Sequence, residues 1–116
     1  MQDVNVLVVF PTRGEWIERL ALAAAVGAVQ GRANIRLRCL EAAADKEFIA
    51  PRDADADWAD AILAVMAGPT DPLKQYIDSL GAGRGRVTAA APTSIEDARL
   101  QGLSAAEAAR ARGGRR

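Results

Sequence analysis

The sequence predicts an α/β domain in three layers, a short parallel sheet of four strands with helices on both faces. Three observations predict it. Val4-Asn5-Val6-Leu7-Val8-Val9-Phe10 is an apolar run that breaks at Pro11-Thr12-Arg13-Gly14 and gives way to an Ala-rich segment, Glu15 to Gln30. Ala61-Ile62-Leu63-Ala64-Val65-Met66 repeats the pattern, with a break at Gly68-Pro69-Thr70 and a helix behind it. Both runs are Val-, Ile- and Leu-rich with little alternation, as in strands covered on both faces.

Taken in order, the segment after the first strand places Ile17, Leu20, Ala21, Ala24 and Ala28 at helical spacing, with Gly27 loosening the helix and Gly31 stopping it. Ala33 to Leu40 alternates Ile35, Leu37 and Cys39 with Arg36 and Arg38, the pattern of a half-exposed edge strand whose arginines discourage edge-to-edge pairing. Glu41 to Asp57 has no sustained period and reads as connection with room for one short helical turn. Asp71-Pro72 starts a helix, because Asp caps well and Pro is tolerated at the first helical position. Leu73, Tyr76, Ile77 and Leu80 give that helix its buried side, and Gly81 and Gly83 end it. Arg86 to Ala91 is a weaker last strand, stopped by Pro92-Thr93. From Ser94 to Arg112 the chain is helical, as one helix or as two hinged at Gly102. Ser94 with Asp97 and Ser104 with Glu107 both have capping-box spacing. Every crossover between parallel strands must cover a face, so this order predicts helices on both.

At 116 residues the chain is read as one domain over 1–112, with a flexible basic tail at 113–116. Fifteen basic and fifteen acidic residues cancel, which argues against a dedicated binder of nucleic acid or of anionic membranes. Glu41, Asp45, Glu47, Asp53, Asp55, Asp57 and Asp60 cluster in one stretch, and Arg110, Arg112, Arg115 and Arg116 end the chain; both read as solvated surface. With no histidine and one cysteine, the usual triads, intramolecular disulfides and cysteine-based zinc sites are absent, and no metal site is expected. Cys39 falls on the inward side of its strand and reads as a buried thiol. No apolar stretch reaches transmembrane length, and Asp3 stands where a signal peptide would carry basic residues, so a cytoplasmic location is expected.

One regularity carries the candidate site. Three apolar runs end in Pro-Thr: Pro11-Thr12, Pro69-Thr70 and Pro92-Thr93. Proline stops each strand, and the threonine then stands just beyond the strand's carboxyl end. If the strands are parallel, the three hydroxyls share the edge where open α/β sheets bind ligands. Alternatively each threonine caps its helix, since Thr12 with Glu15 and Thr93 with Glu96 have capping-box spacing.

Flavodoxin is the standard case of this architecture, with strand order 2-1-3-4-5 and FMN at the junction of strands 1 and 3. On that pattern the order here is 2-1-3-4, and the loops Pro11–Gly14 and Gly68–Thr70 flank the junction. More narrowly, the chain resembles the flavodoxin-like NAD(P)H:quinone oxidoreductases of the tryptophan-repressor-binding protein type. The resemblance rests on Val6-Leu7-Val8-Val9 with Gly14, on Asp57-Trp58-Ala59-Asp60-Ala61-Ile62 leading to Gly68-Pro69-Thr70, on Leu73-Lys74-Gln75-Tyr76-Ile77-Asp78, and on Ala98-Arg99-Leu100-Gln101-Gly102.

The resemblance implies two-electron reduction of quinones by FMN, with NADH or NADPH as donor. The FMN phosphate would lie on the backbone N–H groups of Thr12, Arg13, Gly14, Glu15 and Trp16, with the Thr12 hydroxyl donating and Arg13 offsetting Glu15. The flavin ring would lie over Pro69 and Thr70, edged by Pro92 and Thr93, and Trp16 would either stack on it or pack at the helix start. The chain departs from the family where Pro11 replaces a hydroxyl residue, where Glu15 adds negative charge, where the flavin-cradling loop between Thr70 and Asp71 has no length, and where a fifth strand and a flavin-side histidine are missing. The alternative is a flavin-free remnant of the fold that serves as a binding or oligomerisation module, using an exposed sheet edge and a last helix with Leu100, Leu103, Ala106 and Ala109 along one side. Either way a homo-oligomer is expected.

Overall fold

The computed structural model describes residues 4–11, 14–40, 50–66, 71–80 and 87–111. Thr12, Arg13, Pro69, Thr70, Arg86 and the tail at 113–116 lie outside the described residues, as does the stretch 41–49 with Glu41, Asp45 and Glu47. The elements are β1 (Val4–Phe10), α1 (Glu15–Gln30), β2 (Ala33–Cys39), α2 (Asp53–Trp58), β3 (Ala61–Val65), α3 (Asp71–Ser79), β4 (Val87–Ala90) and α4 (Ile95–Ala111).

All strand pairs are parallel, and the four-stranded sheet has the order β2-β1-β3-β4. β1 is central because it is apolar on both sides; Val6, Leu7, Val8, Val9 and Phe10 have no solvent exposure. Burying side chains of this size contributes about 1.5–3 kcal/mol each. The pairing of β1 with β2 runs from Val4 opposite Ala33 to Phe10 opposite Cys39, whereas β3 pairs with β1 only from Ala61 to Ala64. The Met66 N–H reaches the Ala90 carbonyl at 2.8 Å, so the ladder continues one residue past β3.

Successive residues of β1 alternate between two cores. Val4, Val6, Val8 and Phe10 join Leu63 and Val65 under α1 and α4, while Leu7, Val9, Ile62 and Ala64 face α2 and α3. On that second face Tyr76, Ile77 and Leu80 pack from the α3 side.

The first face is closed by unusually close helix packing. A Cβ on Gly27 would stand 1.8 Å from the Arg99 carbonyl oxygen, and one on Gly102 would stand 1.8 Å from that of Ala24. Gly27 therefore does not loosen α1. It lets α4 lie on the α1 backbone, and Gly102 lies inside a single continuous α4 rather than at a hinge. The face of α4 that carries Ala106 and Ala109 is consumed within the chain, so it is not the free helix surface the sequence offered for self-association. Helix α1 also ends differently: the left-handed residue is Arg32, at φ 65°, while Gly31 keeps φ −85° and makes room for Ala106 and Leu103.

The second face holds a group the sequence placed at the surface. Asp55 is 1% exposed. Its carboxylate accepts hydrogen bonds from Arg36 Nη1 at 2.9 Å, Arg38 Nε at 3.0 Å and the Arg52 backbone N–H at 2.9 Å. Burial raises the Asp55 pKa, but the hydrogen bonds from Arg38, Arg52 and Arg36 outweigh it and hold the carboxyl below its ordinary value. Arg36 also lies 4.3 Å above the Trp58 ring. Asp60 is buried as well, with Oδ2 accepting the Asn5 N–H at 2.7 Å while its own N–H donates to the Asn5 carbonyl, which fixes where β3 enters beside β1. Arg110 likewise belongs to α4 and donates to the Arg32 carbonyl at 3.1 Å, rather than to a solvated tail.

Candidate functional site at the carboxyl edge of the sheet

Because every strand pair is parallel, the segments that follow β1, β3 and β4 all leave the sheet at its carboxyl edge. β1 and β3 are neighbours whose connections run to opposite faces, which makes their junction the switch point of the sheet. Of the three Pro-Thr pairs, Pro11 and Pro92 are buried at strand ends and Thr93 is exposed; Thr12, Pro69 and Thr70 lie outside the described residues.

Helix α1 starts at this edge. Gly14 is its N-cap, with φ 169° and ψ 144°, an extended conformation open to any residue. A Cβ there would meet Ile17 Cγ2 at 3.4 Å, an ordinary contact, so neither strain nor crowding explains the glycine. No side chain of the N-cap bonds the helix. Instead Glu18 folds back, and its Oε2 accepts the Gly14 N–H at 2.9 Å while the Glu18 N–H donates to the Gly14 carbonyl. Glu15 is exposed in the same turn. Trp16 is 45% exposed and does not join the core; the Arg19 guanidinium lies 5.9 Å from its ring centroid. Trp16 thus lies at the helix start against Arg19 of its own helix, with part of its ring open to solvent.

At the other side of the edge, α4 is capped by Ser94. Its Oγ accepts the Asp97 N–H at 3.0 Å, and Asp97 Oδ2 accepts the Thr93 N–H at 3.0 Å. Thr93 with Glu96 therefore does not form the box its spacing allows. Glu96 turns to Arg99 at 2.6 Å, which holds the Glu96 carboxyl below its ordinary range, and Arg99 also reaches Gln30 at 2.7 Å.

The residues missed by sequence reasoning are Glu18 and Arg19. The signal was a glutamate four residues after a glycine at a helix start, which places a carboxylate within reach of the first free N–H groups. At the α1 N-terminus the Gly14 N–H is taken by the Glu18 carboxylate and Glu15 adds a second carboxylate to the turn, while Thr12 and Arg13, which complete the loop, lie outside the described residues. Trp16 and Thr93 are both exposed. Among the described residues no group of His, Cys, Asp and Glu could hold a metal ion, and no helix is long and apolar enough to cross a membrane.

No protein-family model and no curated protein matches the chain. Solved structures do. A flavodoxin from the domain Archaea is similar at a TM-score of 0.67 and 13% identity, covering 91% of this chain and 99% of that one. A flavodoxin-like domain from Synechococcus sp. is similar at 0.53 and 15% identity, covering 88% and 96%. Both similarities span nearly the whole of each chain, so they concern the complete sheet with its two helical layers and not a single βαβ unit. The chain has the flavodoxin-like fold, with a four-stranded sheet.

Proposed function

We propose that this chain binds a flavin at the junction of β1 and β3 and works as a redox protein. The observation that carries the reading is the strand order β2-β1-β3-β4, which opens a switch point at the edge where α1 begins. The similarity to flavodoxin-like structures supports it. On the sequence resemblance, the finer reading is an NAD(P)H:quinone oxidoreductase that takes FMN, receives electrons from NADH or NADPH and reduces a quinone by two electrons. A bound flavin supplies the hydride and electron chemistry, and the protein supplies position and field. Trp16 offers an exposed aromatic surface to a planar ring, and the buried prolines Pro11 and Pro92 stiffen the ends of β1 and β4. The test is spectroscopic: the purified protein, loaded with FMN or riboflavin and desalted, should retain flavin absorbance that NADH or NADPH bleaches anaerobically and a quinone restores. Protein that retains neither flavin refutes the reading.

A second reading, a flavin-free assembly module, is favoured by one observation. Leu22, Val26 and Val29 form a stripe on α1 that is 47%, 52% and 55% exposed, and β2 has no strand partner on its outer edge among the described residues. Apolar surface of this kind favours a homo-oligomer. Light scattering at high micromolar concentration decides it: a monomer mass removes this reading.

A further inference from the structure

We infer that one exposed row of α1 is a self-association surface, against which a second copy of this chain lays its own α1 antiparallel. The inference rests on the assembly reading above and deepens it by naming the contact. Five exposed residues, Glu15, Arg19, Leu22, Val26 and Val29, follow one another at intervals of four, three, four and three. That spacing is the seam of a two-helix coiled coil. At about 3.6 residues per turn, the row stands on the side of α1 opposite Ala24 and Gly27, which meet α4. A further helix can therefore approach it without displacing α4.

The charges decide the occupant and its direction. In an antiparallel pair the numbers of facing residues have a constant sum, so Leu22 opposite the partner's Val26 brings Arg19 opposite the partner's Val29. The methylene stem of Arg19 can lie along that valine while its charge stays in water. Glu15 then reaches the end of the partner's helix, where Arg32 is exposed. The row thus complements itself when reversed, with acid beside base at both ends and apolar residues at the centre. A parallel pair would set Arg19 on Arg19 and Glu15 on Glu15, and like charges repel. A two-fold contact of this kind closes at two copies. The edge of β2 is the poorer candidate, because Arg36 and Arg38 lie on it and Arg38 Nη1 donates to the Leu37 carbonyl at 3.0 Å. Leu22, Val26 and Val29 alone fall short of the roughly 800 Å² per partner of a standard interface. The pair is accordingly weak, monomeric at low micromolar and dimeric at high micromolar concentration.

The experiment combines sedimentation equilibrium of the full chain, Val26→Glu and Arg19→Leu with disulfide trapping of Leu22→Cys and Val26→Cys. All three positions are exposed, so the variants should fold, and circular dichroism checks that they do. Val26→Glu should weaken the dimer about tenfold or more, and Arg19→Leu should tighten it by a similar factor, the order of one buried apolar side chain. On mild oxidation, a mixture of Leu22→Cys and Val26→Cys chains should give the mixed disulfide dimer, and each variant alone should give little. The wild type, whose Cys39 has no exposure, should give none. A dimer indifferent to either Val26→Glu or Arg19→Leu, or an assembly larger than two copies, would overturn the assignment while leaving the assembly reading intact. Disulfides of each variant with itself, in preference to the mixed one, would overturn the antiparallel pairing and the assignment with it. A wild-type chain that stays monomeric at high micromolar concentration removes the assembly reading and this inference together.

Discussion

On one face of the sheet, α1 and α4 meet backbone to backbone through Gly27, Gly102 and a row of alanines, with Leu20 and Ile17 beneath them. On the other, α2 is six residues long and is anchored by the Asp55 carboxylate to two arginines of the edge strand. The first face depends on shape: dispersion contacts between small groups add up only if the helices approach closely. The second depends on charge brought out of water, which stabilises the fold only while every partner is present. A mutation therefore damages the two faces by different routes, one by adding an atom and the other by removing one.

The largest expected effect is on the charged face. Asp55→Ala leaves Arg36 and Arg38 facing each other without their carboxylate. Breaking a buried pair costs about 3–5 kcal/mol, and the low end applies because the Arg36 side chain is 36% exposed. Urea unfolding measures it, and a loss under 1 kcal/mol would mean the cluster is no more than a surface pair.

Next comes Gly102→Ala on the helical face. Alanine favours an isolated helix by about 1 kcal/mol, yet here its Cβ would meet a backbone oxygen at 1.8 Å. The helices must part, at a net cost toward the upper end of about 1–3 kcal/mol. Unchanged or raised stability would show that the helices are not in backbone contact.

Acid should separate the faces without any change of sequence. The folded pKa of Asp55 lies below its ordinary value of 3.8, so its contribution is fully present above that value and is lost as pH falls through the folded one. Between mild acid and that point the wild type should lose stability more steeply than Asp55→Asn, whereas Gly102→Ala should parallel the wild type. Parallel slopes for wild type and Asp55→Asn would remove the pH dependence from this cluster.

The smallest effect is a gain. Arg32→Gly relieves the left-handed backbone at the end of α1 and keeps the carbonyl that Arg110 uses. After the entropy cost of glycine, at most about 0.5–1 kcal/mol of added stability should remain, less whatever the Arg32 side chain itself contributes. A loss would show that the Arg32 side chain itself holds the α1/α4 face.

The sheet was legible in the sequence because burial on both faces leaves an unbroken apolar run, and alternation in Ile35 to Cys39 marks an edge. Parallel direction followed from crossover rules once the runs were placed, and the order from the flavodoxin pattern. The charged face was not legible. Asp53-Ala54-Asp55-Ala56-Asp57-Trp58 has no apolar period, and nothing in it distinguishes Asp55 from its neighbours until β2 brings two arginines from 17 and 19 residues away. Gly27 was misread for a related reason: a helical glycine signals close approach only when the opposing helix is known. At the site, Pro11 and Pro92 follow β1 and β4 as the Pro-Thr regularity required, while Thr12, Pro69 and Thr70 lie outside the described residues. The cap of α4 went to Ser94, whose spacing to Asp97 the sequence also offered, rather than to Thr93.

The close crossing of α1 and α4 also has a consequence in time. The helix that completes α1 is the last described element, and Arg99 meets Gln30 across 69 residues of chain. At a synthesis rate of about 5–20 residues per second, roughly 3–14 s pass between the emergence of one partner and the other. Throughout that interval the Ala24–Gly27–Ala28 surface has no helix to meet, and a chaperone or a neighbouring nascent chain can reach it first. The arrival of α4 is the step that covers this surface.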